Sequence, residues 1–442
     1  MSLERTELRL GFIALNDCAP LVIAREKGFF EAEGLSVDLS REASWANIRD
    51  KVAMGALDGA HMLGPMPLAV RLGVCGEPAK MIAPMSLNLN GSASPFPRPW
   101  ATRMRAADPE GMSARPRTAR PLAKVIAARK AQGALLTFAV VFPFSVHNYE
   151  LRYWLAEAGI DPDRDLRVVV TPPARMTARL TAGDLDGFCV GAPWNAQAVA
   201  DGRGEIMAYA AELWRVGPDK VFGVTEAVAD ANPNTLGAVL RSLLRAAAWC
   251  DAPGHRAELA AILSHPRYVD APEEVVARSL TGAPPYAPGE AGPDDQDYII
   301  YHRYAANFPW RSHAVWYPDP DAALGPDTRG HRHGRRRRGR SIGRSVPGGR
   351  RGSWGRRRRW WTRRWRGCTP RRGPWTRPRP RSPWPPTCFS TADGSTRPSR
   401  NAMRPGSRSA DSAAEAVRTP IPCAVQREQS HNQRAECPNR PA

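Results

Sequence analysis

Two short stretches place a capping serine just ahead of a side chain with a ring N–H. They are Ser44-Trp45, after the strand-like LSVDLS, and Ser145-Val146-His147, after LLTFAVVF. A helix N-terminus carries unpaired amides and the positive end of the helix dipole, so it is a natural seat for an anion. Trp45 would add an indole donor and an apolar wall; His147 would add an imidazole donor. His61, just past the Asp58-Gly59 turn, and Lys220, in WRVGPDKVFGV, contribute a second imidazole and an ammonium. The two helix heads suit a small negative ion. Each side chain also has a plainer reading. Trp45 can be a staple or a core ring, His61 a hydrogen-bonded core histidine, His147 a cap or a solvated first-turn residue, and Lys220 a solvated lysine. Spacing alone does not choose between them.

Catalytic patterns are lacking. There is no GxSxG elbow, no HExxH and no P-loop. The HRH at 331–333 puts two histidines in an arginine-rich tract without the spacing of a metal site. No metal, no cofactor and no enzymatic activity are expected.

The elements that must position these residues follow from periodicity. ELRLGFIAL reads as a buried strand, APLVIAREKGFFEAEG as one helix stopped by Gly34, and LSVDLS as a strand. SWANIRDKVAMGAL is then a helix capped by Ser44, DGAHML a strand, PMPLAVRLG a short helix and AKMIAPMSL a strand. Residues 94–121 break the rhythm. It resumes with PLAKVIAARKA as a helix, LLTFAVVF as a strand, and SVHNYELRYWLAEAG as a helix with Gly159 at its stop. DLRVVV, ARMTARLTAG, LDGFCVG and PWNAQAVADG continue the alternation, with Pro193 near the first helical position. A helical stretch follows, from NTLGAVLRSLLRAAAWC to APEEVVARSL. Alternation at this spacing predicts two α/β units in series, each built on a parallel sheet that binds ligands at the carboxyl ends of its strands.

Charge separates the chain into two parts. The 442 residues carry a net charge of +20, yet up to Tyr317 acidic and basic residues nearly balance. Beyond it every basic residue is an arginine, in tracts such as RRRRWWTRRWRG. Such a composition cannot bury enough apolar surface to offset chain entropy, so residues 318–442 are expected to be disordered. Their abrupt onset has the composition that GC-rich DNA yields when read out of frame, and the same is expected of a short stretch around 92–102. The eight cysteines form no CxxC pair, and the four in the body sit in apolar surroundings, as buried reduced thiols do. The start MSLERTELRLGFIAL has no signal-peptide apolar core, and no run approaches a membrane span. A cytoplasmic location is expected, or a periplasmic or membrane-associated one if the start is misassigned.

Several long blocks resemble a known family: LRLGFIALNDCAPLVIAREKGFFEAEGL, SREASWANIRDKVAMGALDGAHMLGPMPLA, VVFPFSVHNYELRYWLAEAGIDPDRDL, DGFCVGAPWNAQAV, ELWRVGPDKVFGVTEAVADANP and RYAANFPWRSHAVW. They are similar to the nitrate/bicarbonate-binding proteins of ABC transporters, above all to their signal-less branch, the nitrate/nitrite sensors of bacterial assimilation operons. The resemblance covers about residues 7–316. It implies a type II periplasmic-binding-protein fold, with two lobes around an anion. Residues 1–92 and 201–317 would form one lobe, the latter with a helical C-terminal part, and 93–200 the other. It implies that Trp45, His147 and Lys220 hold the anion. A Gln or Asn expected after LNG falls on Ser92, a departure from the family pattern, and His61 joins as a further candidate. The ligand would be nitrate or nitrite, with bicarbonate as a further candidate. The partner would be an antiterminator regulator for a sensor, or a membrane permease for a transporter component.

Two other functions compete. One is RNA or DNA binding through the Arg–Trp tail, where arginines would neutralise phosphates and tryptophans stack on bases. The other is the enzyme branch of this fold that makes a thiamine pyrimidine precursor. That branch carries a cysteine-rich signature, which this sequence lacks.

Overall fold

The computed structural model describes residues 2–317. The expected disorder of 318–442, the suspected change of reading frame near residue 317, the HRH motif and the last four cysteines all fall outside the described residues. Among the described residues the strands are β1 (Glu7–Phe12), β2 (Ser36–Arg41), β3 (Gly59–Leu63), β4 (Met81–Ser86), β5 (Leu89–Asn90), β6 (Ser92–Pro97), β7 (Leu136–Val140), β8 (Leu166–Val170), β9 (Gly187–Gly191), β10 (Gly204–Tyr209), β11 (Lys220–Thr225) and β12 (Ile299–Ile300).

They form two five-stranded sheets, ordered β2-β1-β3-β11-β4 and β10-β6-β9-β7-β8, and a small β12-β5 pair. Each sheet has a parallel core, β2-β1-β3 in one and β8-β7-β9 in the other. Neither sheet is purely parallel, which corrects the expectation from alternation. β11 lies antiparallel between β3 and β4, and β6 lies antiparallel between β9 and β10. Both follow a passage from one sheet to the other, and a strand arriving from the opposite lobe enters running the other way. The chain leaves the first sheet after Ser86 and rejoins it at Lys220, while the second sheet takes its strands from 92 to 209. The boundary drawn from sequence at 92/93 falls at the start of β6, and the one at 200/201 precedes β10, a strand that belongs to the second sheet, because the return to the first sheet comes only with β11.

Local chemistry explains two other departures. The single helix expected over 19–34 is two, Ala19–Glu26 and Phe29–Ala32, because Gly28 adopts a left-handed φ of 68° that ends the first helical run. The irregular text from 92 onward is β6 and the helix Arg98–Ala107, with Phe96, Ala101 and Met104 buried. Its strand is an integral part of the second sheet. Its prolines are tolerated because β9 pairs only with Ser92 and Ala93, so Pro95 and Pro97 meet a partner strand on one side alone. Cys18, Cys75, Cys189 and Cys250 are buried and free, in line with the reading of body cysteines as reduced thiols.

Two asparagines tie the passages together. Asn88 accepts from the Lys220 amide at 3.1 Å and donates to Asp219 Oδ2 at 3.2 Å. Asn90 donates to the carbonyls of Arg215 and Asp297, at 2.8 and 2.9 Å, and accepts from Gly217 N at 2.8 Å. Its φ of 61° lies in the left-handed region, where asparagine is among the few tolerated side chains. Asn90→Ala removes the partner of two buried backbone groups and a part-buried one, at a strained φ. It is expected to cost about 3 kcal/mol of stability, measured by urea unfolding. A loss below about 1 kcal/mol would show that the passages are held by other contacts.

Candidate anion site

The two sheets bring their strand ends together. On the first, β1 leads through Asn16-Asp17 into the helix Ala19–Glu26, β3 carries His61, and β11 begins on Lys220 directly after Asp219. The helix Trp45–Ala53 starts behind Ser44, whose Oγ accepts from Asn47 N at 3.2 Å. On the second, the helix Val146–Glu157 starts behind Ser145. That hydroxyl accepts from Asn148 N at 3.1 Å and donates to Phe142 O at 2.7 Å. These caps set Trp45 and His147 in the first turns of their helices. β9 ends at Gly191, which pairs with Ser92.

The cluster is closed to solvent: Trp45 is 1% exposed, and His61, His147 and Lys220 are fully buried. Lys220 Nζ lies 2.7 Å from Asp17 Oδ2 and 2.7 Å from both oxygens of Asp219. His61 Nδ1 accepts from Ile13 N at 3.4 Å, which leaves the ring proton on Nε2, 2.9 Å from Asp17 Oδ1 but not aligned for a hydrogen bond. The Trp45 and His61 rings meet edge to face with centroids 5.1 Å apart, and the Lys220 ammonium stands 5.9 Å from the Trp45 ring centroid. Gly191 closes the circle from the other lobe. A Cβ there would sit 3.2 Å from Asp17 Oδ2 and 3.5 Å from His147 Nε2. Backbone and indole bonds seal the seam beside it, from Asn16 N to Ala192 O and from Trp194 Nε1 to Ala14 O, each 2.8 Å.

All five residues named from the sequence, Trp45, His61, Ser92, His147 and Lys220, thus fall in one buried region. They split between the lobes, with Trp45, His61 and Lys220 on one and Ser92 and His147 on the other. Sequence reasoning missed Asp17, Asp219, Glu150 and Gly191. A signal existed for the first two, since Asp17 follows the end of β1 and Asp219 precedes Lys220. Nothing marked Glu150, three residues beyond His147.

Burial would raise the Asp17 carboxyl, but the Lys220 ammonium and the His61 ring outweigh it and hold it below the usual carboxylate range. Asp219 is raised, by burial and by the neighbouring Asp17 charge, against the pull of Lys220. Burial acts to lower Lys220, and its two carboxylates more than reverse that. His147 is pushed well below its usual value by burial and then by Lys220, so its ring is neutral, with one N–H to donate. Neither His147 nitrogen, nor Trp45 Nε1, has a hydrogen-bond partner among the described residues. Buried donors are almost always paired, so such a pair of orphans beside an ammonium marks a place where acceptor oxygens fit.

Glu150 is raised well above 4.5 by burial and then by Asp219, with the Lys220 charge and the Ser92 hydroxyl pulling the other way. In the unfolded chain the group ionises near 4.5. Each further pH unit therefore costs the fold about 1.4 kcal/mol until the folded group ionises too. Glu150→Gln is expected to raise the denaturation midpoint at pH 8 and to make no difference near pH 4. An equal effect at both pH values would show that the carboxyl is not held protonated.

Two α/β lobes, two passages between them and a buried polar cluster at their facing strand ends define a type II periplasmic-binding-protein fold. A model of the NMT1-like family matches residues 2–264, and the chain belongs to that family. It is 34% identical over 325 residues to the nitrate/nitrite binding protein NrtA of Synechococcus elongatus, covering 72% of this chain and 71% of that protein. It is 37% identical over 318 residues to the nitrate import ATP-binding protein NrtC of Synechocystis. That match covers 71% of this chain, which spans only 45% of the length of that relative. The crystal structure of the periplasmic nitrate-binding protein NrtA from Synechocystis superposes with a TM-score of 0.67 at 32% identity, covering 74% of this chain and 83% of that one.

These relatives correct the expected cytoplasmic location. The solved relative is a periplasmic protein, which points to the periplasm, and the point at which a sequence begins does not fix its compartment. The antiterminator partner rested on the cytoplasmic reading and loses its support with it. The relatives are a nitrate/nitrite binding protein, a nitrate import ATP-binding protein and a periplasmic nitrate-binding protein.

Proposed function

We propose that this chain is the solute-binding component of an ABC importer and that it encloses nitrate or nitrite between its two lobes. One observation carries the reading: the Trp45 and His147 ring donors are buried without a protein partner, beside the Lys220 ammonium, where the lobes meet. A planar oxyanion accepts from such donors in its plane, and closure around it removes water and strengthens each contact. Closure also changes the outer surface, which is how a permease senses a loaded protein. The nitrate-binding relatives support the ligand class.

Calorimetric titration of the chain with nitrate, nitrite and bicarbonate tests this. Heat with nitrate or nitrite is expected, and none of the three giving heat in a folded sample would reject the reading. Trp45→Phe sharpens the test. It removes the unpartnered indole donor together with part of the buried ring's volume, so binding and stability are read separately. Nitrate affinity is expected to fall about tenfold, near 1.4 kcal/mol, and stability to fall by about 1–2 kcal/mol from the lost packing. Unchanged affinity would remove the indole from the site.

A further inference from the structure

The ammonium expected to face the anion is already engaged. Its three contacts, to Asp17 Oδ2 and to the two Asp219 oxygens, are all 2.7 Å, and an ammonium has three donors. Two carboxylates against one lysine, with the His61 ring accepting from Ile13 N at Nδ1 and so carrying a single ring proton, leave the cluster no positive charge to spare. Adding a monoanion to that arrangement would bury three negative groups around one cation, which a dry interior does not tolerate. One carboxylate must yield, and it does so by taking a proton, which cancels its charge and turns its oxygen into a donor.

We propose that Asp17 and Asp219 are the selectivity residues of this site: by occupying the donors of Lys220 they admit a singly charged oxyanion only together with a proton, and they exclude doubly charged oxyanions. The inference rests on the nitrate reading above. The proton goes to Asp219, and one Lys220 N–H turns from that carboxylate to the incoming anion. Asp17 keeps the other contact, because the His61 ring stands against it as well. Among the described residues the Asp219 carboxylate has only Lys220 and the Asn88 amide as partners, and burial with the Asp17 charge shifts it towards its protonated form. The other titratable groups around the clamp leave it this role. His147 is a neutral donor, Glu150 favours its acid form, and burial raises the phenols of Tyr317 and Tyr298 and the Cys189 thiol, keeping them neutral. A dianion such as sulfate would need a second proton and finds no second carboxylate free to take it.

Titrating the full chain with sodium nitrate at pH 7, in buffers of different ionisation enthalpy, counts the protons directly. About one proton taken up per nitrate is expected, with affinity falling about tenfold per pH unit as pH rises. Sodium sulfate should give no heat. In Asp219→Asn the amide is neutral without a proton, so uptake is expected to vanish and the pH dependence to flatten. Nitrate heat that is the same in every buffer overturns the proposal and leaves the nitrate reading standing, as does sulfate binding as tight as nitrate. No nitrate heat at all, in a sample folded by circular dichroism, sinks the underlying reading instead. If Asp219→Asn does not fold, the wild-type buffer series decides alone.

Discussion

Lys220→Ala is expected to weaken nitrate binding at least tenfold, about 1.4 kcal/mol, and to destabilise the fold at the same time. The binding loss follows from removing the one ammonium in the cluster. The stability loss follows from what remains, since Asp17 and Asp219 are 2% exposed and would face each other without a cation. Removing one partner of a buried ion pair costs about 3–5 kcal/mol. The sign of its pH dependence can be worked out. Without Lys220 both carboxylates favour the protonated form more than in the unfolded chain, so the variant's deficit should grow as pH rises from 4 to 8 and shrink in acid. Calorimetry on the folded variant reads the first effect, and urea unfolding at several pH values reads the second. Wild-type nitrate affinity in the folded variant would reject the role given to the lysine, and a deficit independent of pH would reject the account of its carboxylates.

Gly191→Leu is expected to abolish closure rather than folding. A Cβ at Gly191 already approaches Asp17 Oδ2 to 3.2 Å and His147 Nε2 to 3.5 Å, so a larger side chain wedges between groups of opposite lobes. Overpacking of this kind costs about 1–3 kcal/mol. Here the lobes can relieve it by parting, so the cost should appear as a tenfold to hundredfold loss of nitrate affinity, roughly, with little change in unfolding midpoint. Small-angle scattering with saturating nitrate should show the variant more open than wild type. A variant that binds nitrate normally would place the ligand away from Gly191.

The hydrophobic periodicity of the first ninety residues suffices to place β1 to β4, and the serines ahead of Trp45 and His147 mark helix starts that the structure bears out. Strand direction was not legible in the same way. A buried strand such as KVFGVT or SASPFP has the same local pattern whether it runs with or against its neighbours, so β11 and β6 could not be oriented before the passages between sheets were seen. The break at Gly28 and the prolines of β6 were visible as residues, yet what they do depends on a left-handed φ and on which side of a strand goes unpaired.

By itself the sequence placed an indole and an imidazole at capped helix heads, where an anion could sit, and its likeness to the nitrate/bicarbonate-binding family added Lys220, with His61 as a further candidate. Only the tertiary structure decided that these groups share one closed region, that Lys220 is clamped by Asp17 and Asp219, and that Gly191 leaves space where a side chain would stand. The reason is separation along the chain. Asp17, His61, His147, Gly191 and Lys220 span two lobes and two crossings, and charge balance in a buried cluster depends on neighbours that no local pattern can reveal.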